Sequence, residues 1–279
     1  MLNSDEFAHD TEFVKLLSRR EDVDLTTVAL ELARDAYPDL NFQETLRWID
    51  DRASELIVPL ARAATEIDAL REIGRCISEM HGINGDVGSY DQVDSSFLHR
   101  VIANKRGIPL SLSVLYMAVA NRAGFALRGV ATPRHFLTRY DSADGPLYLD
   151  AFSGGRIMTY HDCLKRVHSA TKIPQEQLQV SLKAVGVRPI VIRMLNNLKA
   201  LYAHQNRWPA ALVVQKRLVA LSPTDYGERR DLAFVTLKTN RPGHALDLLE
   251  DCLKRCPDDE NETLKQQVGE AKRQLALAN

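Results

Sequence analysis

Arg106-Gly107-Ile108-Pro109-Leu110-Ser111-Leu112-Ser113 is the stretch whose reading decides the fold. Arg106-Gly107 stops a short helix, with Gly107 as the expected residue for a left-handed exit. Pro109 suits the first position of the next helix, where its missing N–H has no intrahelical partner to lose. From Leu110 through Leu112, Val114, Leu115, Met117, Val119 and Ala120 that helix is apolar nearly all round, until Gly124 ends it. A helix without a polar face is buried, so this one is expected at the centre of a domain.

Downstream the texture changes to strands: Phe125 to Ala131, His135 to Tyr140 and Leu147 to Phe152, with Asp144-Gly145 as a hairpin signal. Gly154-Gly155 makes another turn, Ile157-Met158 adds a short strand, and Tyr160 to His168 returns to helix. Upstream, three amphipathic segments run on Leu25, Val28, Ala29 and Leu32, then on Leu46, Ile49, Ala53 and Leu56, then on Leu70, Ile73, Ile77 and Met80. Asp24 is placed to cap the first, Pro59 to kink or close the second, and Ser95 or Ser96 to cap the short helix before Arg106. Helices first and a small antiparallel sheet after them give an α+β domain. A helix start followed by a strand-borne His135 and Asp150 is also the layout of thiol enzymes, in which a Cys opens the helix. Here the opening residue is Pro109.

Beyond Val187 the chain is helical and repeats. A shift of 34 residues lays Asn206-Arg207 on Asn240-Arg241, Ala211-Leu212 on Ala245-Leu246, Pro223 on Pro257 and Asp225 on Asp259. That period resembles the tetratricopeptide repeat, with two departures: Lys199 stands for a small residue and Gln215 for an aromatic one. A last helix on Leu264, Val268, Ala271 and Leu275 reads as a cap. The expected division is therefore 1–180 for the α+β domain with its N-terminal helices and 187–279 for the repeats.

Composition narrows the function. The 279 residues are 45% hydrophobic, enough for a proper core, and a net charge of −1 with 6% aromatics gives no nucleic-acid footprint. No apolar run reaches the length of a membrane span, and the start has neither the basic residues nor the apolar stretch of a signal peptide, so a cytoplasmic protein is expected. The scattered Cys76, Cys163, Cys252 and Cys256 fit a reducing compartment. Cys252 and Cys256 share a helix face, with His244 as the nearby further ligand, and read as ordinary half-buried thiols; no metal and no cofactor is expected.

Taken together, Ser96-Phe97-Leu98, the Arg106–Ser113 stretch, Gly129-Val130, His135-Phe136-Leu137, Gly154-Gly155, Arg193-Met194-Leu195-Asn196-Asn197-Leu198-Lys199 and Arg229-Arg230-Asp231-Leu232 resemble the bacterial SirB-type family. That family joins a transglutaminase-like domain, with a cysteine-protease-like core, to tetratricopeptide repeats. Two departures stand out: the family tends to Pro-Gly-His-Phe and Asp-Pro-Phe, where this chain has Pro133-Arg134-His135-Phe136 and Asp150-Ala151-Phe152. In the wider superfamily a Cys at the helix start is activated by the helix N-terminus and a His, and an Asp orients the imidazole. The resemblance lays these roles on Pro109, His135 and Asp150, so the nucleophile is missing and the thiol reaction is expected to be absent.

Ser113, one turn past Pro109, is the substitute on the same face, although bonding the Pro109 carbonyl or packing in the core explains it too. Ser111 points away. Arg134 is placed to offer a positive charge beside His135 to a carboxylate or phosphate, or is a solvated strand residue. Asn196, Asn197 and Arg230 are candidate groove residues, or make helix caps and interhelical hydrogen bonds. The resulting expectation is a non-catalytic protein-interaction or regulatory factor, binding protein or peptide through its repeats. The alternative is a hydrolase or acyl-transferase using His135-Asp150 with an unusual nucleophile or with water.

Overall fold

The computed structural model describes residues 7–278. In chain order it contains α1 (Thr11–Leu17), α2 (Leu25–Arg34), α3 (Phe42–Arg62), α4 (Glu66–Gly74) running into a π-helical turn (Arg75–Met80), and β1 (Asn84–Gly85). Next come α5 (Leu98–Asn104), β2 (Arg106–Gly107), α6 (Pro109–Arg122), β3 (Arg128–Val130), β4 (Leu137–Ser142), β5 (Gly145–Asp150) and β6 (Arg156–Thr159). The rest is helical: α7 (Tyr160–Thr171), α8 (Gln175–Leu178), α9 (Val187–His204), α10 (Trp208–Leu221), α11 (Tyr226–Lys238), α12 (Pro242–Leu253) and α13 (Asn261–Ala278).

Contacts divide the chain into two units, one of residues 21–194 and one of residues 195–278 together with residues 7–20. The boundary thus falls inside α9, and α1 belongs with the repeats rather than with the helices that follow it in sequence.

In the first unit the helix that opens on Pro109 is buried along its length to Ala120, as its all-round apolar sequence requires. It packs against α2, α3, α5, β3, β4 and the turn 151–153. The sheet is an antiparallel meander, β3-β4-β5-β6, with Thr138 opposite Leu149 and Tyr148 opposite Met158. Alternation sends Val130, Leu137, Tyr148 and Met158 to one face, where they close a core with Cys163, Leu164 and Val167 of α7. Asp24 caps α2 by accepting from the Thr26 N–H at 2.9 Å. Pro59 is absorbed near the end of α3, which continues to Arg62.

Several local expectations are corrected. The left-handed exit of α5 is Lys105, at φ 58°, not Gly107. Gly107 lies in β2, paired to Gly85, where an added Cβ would sit 2.9 Å from Ser111 Oγ. No serine side chain caps α5; the residue before it is Phe97, and the Ser95 carbonyl instead accepts the Ser111 hydroxyl at 2.6 Å. The β strands are also shorter than their apolar runs, so His135 falls in the turn before β4 and Phe152 in a 3-10 turn after β5.

In the second unit α10 packs on α11, α11 on α12 and α12 on α13, and α1 lies against α10. Asn206 and Asn240, 34 positions apart, both take left-handed φ values (56° and 57°) at the ends of α9 and α11, so the repeat extends to the backbone. The two departures from the repeat pattern satisfy one another's surroundings. Lys199 Nζ reaches Glu228 at 3.2 Å and Asp231 at 3.0 Å, while Gln215 Nε2 donates to the Glu228 carbonyl at 2.8 Å and its carboxylate at 2.7 Å. Leu264, Val268 and Ala271 of α13 seal the end of this core with Leu249 and Cys252.

Candidate functional site

Asp150 ends β5 with its side chain fully buried. The chain then tightens into the 3-10 turn 151–153, and the carboxylate caps it: Oδ1 accepts the N–H of Phe152 at 3.1 Å and of Ser153 at 3.4 Å, and Oδ2 accepts the Ser153 hydroxyl at 2.8 Å. The turn closes through Gly154 and Gly155, at φ 67° and 82°. Gly155 lies so close to Gly74 that an added Cβ would stand 2.7 Å from the Gly74 Cα, which leaves room for glycine alone.

The turn before β4 brings His135 to this carboxylate, with Nε2 3.0 Å from Asp150 Oδ1. Strand parity places Asp150 on the face covered by α7, and Arg166 of that helix reaches Oδ2 at 3.1 Å. Burial opposes ionisation of Asp150, yet the hydrogen bonds and charges of His135, Ser153 and Arg166 outweigh it and hold the carboxyl below the usual range. The edge of the Phe152 ring meets the imidazole at 6.2 Å between centroids, and Tyr90 leans on Phe152 at 5.7 Å. Burial, with Asp150 adding to it, pushes the Tyr90 phenol up.

With Nε2 committed to Asp150, Nδ1 is the imidazole nitrogen left for a reacting group. Among the described residues no side chain hydrogen-bonds to it. Pro109 holds the first position of α6, with no N–H and no reactive side-chain atom. Ser113 does not bond His135; its hydroxyl points at the Phe136 carbonyl, 3.4 Å away. Ser111 turns the other way, to the Ser95 carbonyl. Cys163 lies in the apolar core against the sheet, where burial pushes its thiol up to about 12, and Cys76 is buried among helices with its thiol at about 11. A neutral buried thiol is a poor nucleophile.

Arg134 is not a strand residue. It is exposed in the turn at φ 60°, a left-handed conformation that favours glycine, and this accounts physically for the glycine the resemblance leads one to expect there. The cation that touches the dyad is Arg166. It opens outward onto a cleft of about 460 Å³ lined also by Arg156, Lys165 and Ser169. Sequence reasoning missed Arg166 because nothing local ties α7 to Asp150. Ser153 was legible as an Asp-x-x-Ser turn, in which the side chain caps its own chain.

Asn196 and Asn197 lie half-buried on α9. Arg230 of α11 pairs with Asp231 of the same helix at 2.9 Å and with Glu260 in the 3-10 turn before α13. Cys256 lies beyond the end of α12 at Leu253, so it does not share a helix face with Cys252; its sulfur accepts from Asn261 Nδ2 at 3.3 Å and lies 3.4 Å from the Leu253 carbonyl.

A family model described as the transglutaminase-like superfamily matches residues 41–196, more than half of the chain. The chain belongs to this superfamily. A tetratricopeptide repeat model matches residues 198–275, so the transglutaminase-like domain is followed by repeats. The chain is similar to the UPF0162 protein of Xylella fastidiosa strain 9a5c, 32% identical over 252 residues, covering 86% of this chain and 87% of the relative. A UPF0162 protein of Vibrio cholerae is 27% identical over 236 residues, 82% of this chain and 87% of its own. The likeness to human F-box only protein 21 is narrower, 27% over 175 residues, which is 57% of this chain and 26% of that protein. No solved structure matches the chain. Among the described residues no helix is long and apolar enough to cross a membrane.

Proposed function

We propose that the protein is a transglutaminase-like domain without thiol catalysis, acting as a protein-interaction or regulatory factor through its repeats in the cytoplasm. The observation that carries this reading is Pro109 at the first position of α6, with the hydroxyl one turn on, Ser113, given to the Phe136 carbonyl. His135 and Asp150 then serve as a scaffold that holds the turn 151–155 in place. Repeat arrays present an extended surface to peptides and helices, and the half-buried Asn196 and Asn197 of α9 are the polar groups we assign to that surface.

The test uses the full chain as bait in cross-linking capture, alongside the double variant Asn196→Glu/Asn197→Glu and the variant His135→Ala. A protein captured by wild type and His135→Ala but lost with the double variant is the expected result. Hydrolysis of ester or amide substrates by the wild type that disappears in His135→Ala would overturn the reading in favour of an enzyme.

A further inference from the structure

Away from the His135-Asp150 corner, three side chains with metal-ligand chemistry meet. His81 Nε2 lies 2.8 Å from Glu55 Oε2, and Cys76 Sγ lies 3.8 Å from the same oxygen. The three donor atoms, one from each residue, all fall within 4.8 Å of one another. Glu55 comes from α3, and the other two come from the π-helical turn and the residue after it. That turn is what aligns them. In a regular α-helix, positions five apart lie about 140° apart around the axis. Here the His81 N–H donates to the Cys76 carbonyl at 3.2 Å, an i to i+5 bond whose wider turn returns the two side chains to one side.

The spacing fits a small cation. Bonds of about 2.3 Å to sulfur and about 2.0–2.2 Å to nitrogen and oxygen put tetrahedral ligand atoms about 3.3–3.6 Å apart. The 3.8 Å sulfur–oxygen separation is already close to this, and the 2.8 Å nitrogen–oxygen contact opens to it once a cation replaces the shared proton. Arg52 holds the other Glu55 oxygen, Oε1, at 2.9 Å, which orients the carboxylate and leaves Oε2 for the ion. Glu55 keeps 37% of its side-chain surface in solvent, so the ion has an entry path and a fourth position open to water.

We propose that Glu55, Cys76 and His81 bind one divalent cation of borderline softness, of the zinc or cobalt class. Sulfur, imidazole and carboxylate together select that class over magnesium or calcium. Binding of the cation displaces the Cys76 thiol proton, and the thiolate takes its place as a ligand. The sequence hid the site because Glu55 is a helix away and five-residue Cys-His spacing points apart in a regular helix.

Trp48, whose ring lies 5.9 Å from that of His81, supplies a reporter. The full chain is titrated without oxygen with cobalt(II), followed by zinc. Expected are one equivalent bound, a thiolate-to-cobalt charge-transfer band that zinc abolishes, and quenching of Trp48 fluorescence. Cys76→Ser removes the band. Glu55→Gln and His81→Gln, on partly exposed side chains whose fold is checked by circular dichroism, each weaken binding at least about tenfold. Absence of the band in wild type, its survival in Cys76→Ser, unchanged affinity in His81→Gln, or quenching that survives Trp48→Phe would each overturn the proposal.

Discussion

Two buried aspartates, one in each unit, show how differently a carboxylate is used. Asp10, just before α1, pairs with Arg217 of α10 at 2.6 Å, with side chains only 8% and 2% exposed. The guanidinium lies over the rings of Phe7 and Phe13, at 4.8 and 4.7 Å. The pair joins residues 207 positions apart and is closed to solvent. Asp150 is as deeply buried, but its side-chain partners are not: His135 is 19% and Arg166 42% exposed. The first arrangement is a clamp that binds the N-terminal segment to the repeats, since only a fully covered ion pair loses everything when one half is removed. The second faces outward and keeps its geometry through local turns.

The largest effect expected is at the clamp. Arg217→Ala removes the buried guanidinium from Asp10 and from the rings of Phe7 and Phe13 and should lower the stability of the repeat unit by about 3–5 kcal/mol. Trp208 in α10 and Trp48 in α3 report the two units separately. In urea unfolding of single-tryptophan variants, the loss should appear in the Trp208 transition and spare that of Trp48.

Asp150→Ala should do the reverse, at a smaller cost of about 2–3 kcal/mol, because His135 and Arg166 can turn to water and the main loss is the carboxylate that caps the turn 151–153. Equal losses in both transitions would erase the distinction between clamp and site.

Acid titration refines it further. The Asp150 carboxyl lies below its ordinary range in the folded chain, so its contribution is fully present above the unfolded value and is lost as pH falls through the folded one. The stability advantage of wild type over Asp150→Asn should therefore hold at neutral pH and shrink only in the strongly acidic range. The smallest effect is favourable: Arg134→Gly relieves the left-handed φ of 60° and should raise the Trp48-reported stability by about 0.5–1 kcal/mol.

What the sequence disclosed follows from distance along the chain. Pro109 at a helix start, Asp24 as a cap and Asp144-Gly145 as a hairpin are local signals, and all three stand. His135 and Asp150 could be paired because two strands and one turn separate them. Contacts made only by packing were not legible: Arg166 to Asp150 across α7, α1 against α10, and the Lys199–Glu228–Gln215 network behind two residues that looked like flaws in a repeat. Gly107 misled because a glycine after a helix signals an exit, while here it permits close packing and Lys105 takes the left-handed turn.

The π-helical turn between Gly74 and His81 has one more consequence. A helix carries a phase, and a turn one residue wider resets it for everything that follows. Deleting a single residue there would restore the ordinary pitch, rotate His81 by about 100° away from Glu55, and change the angle at which the chain leaves for β1. Length, as much as residue identity, is therefore under constraint in this segment, and a one-residue deletion there should be worse tolerated than most substitutions at the same positions.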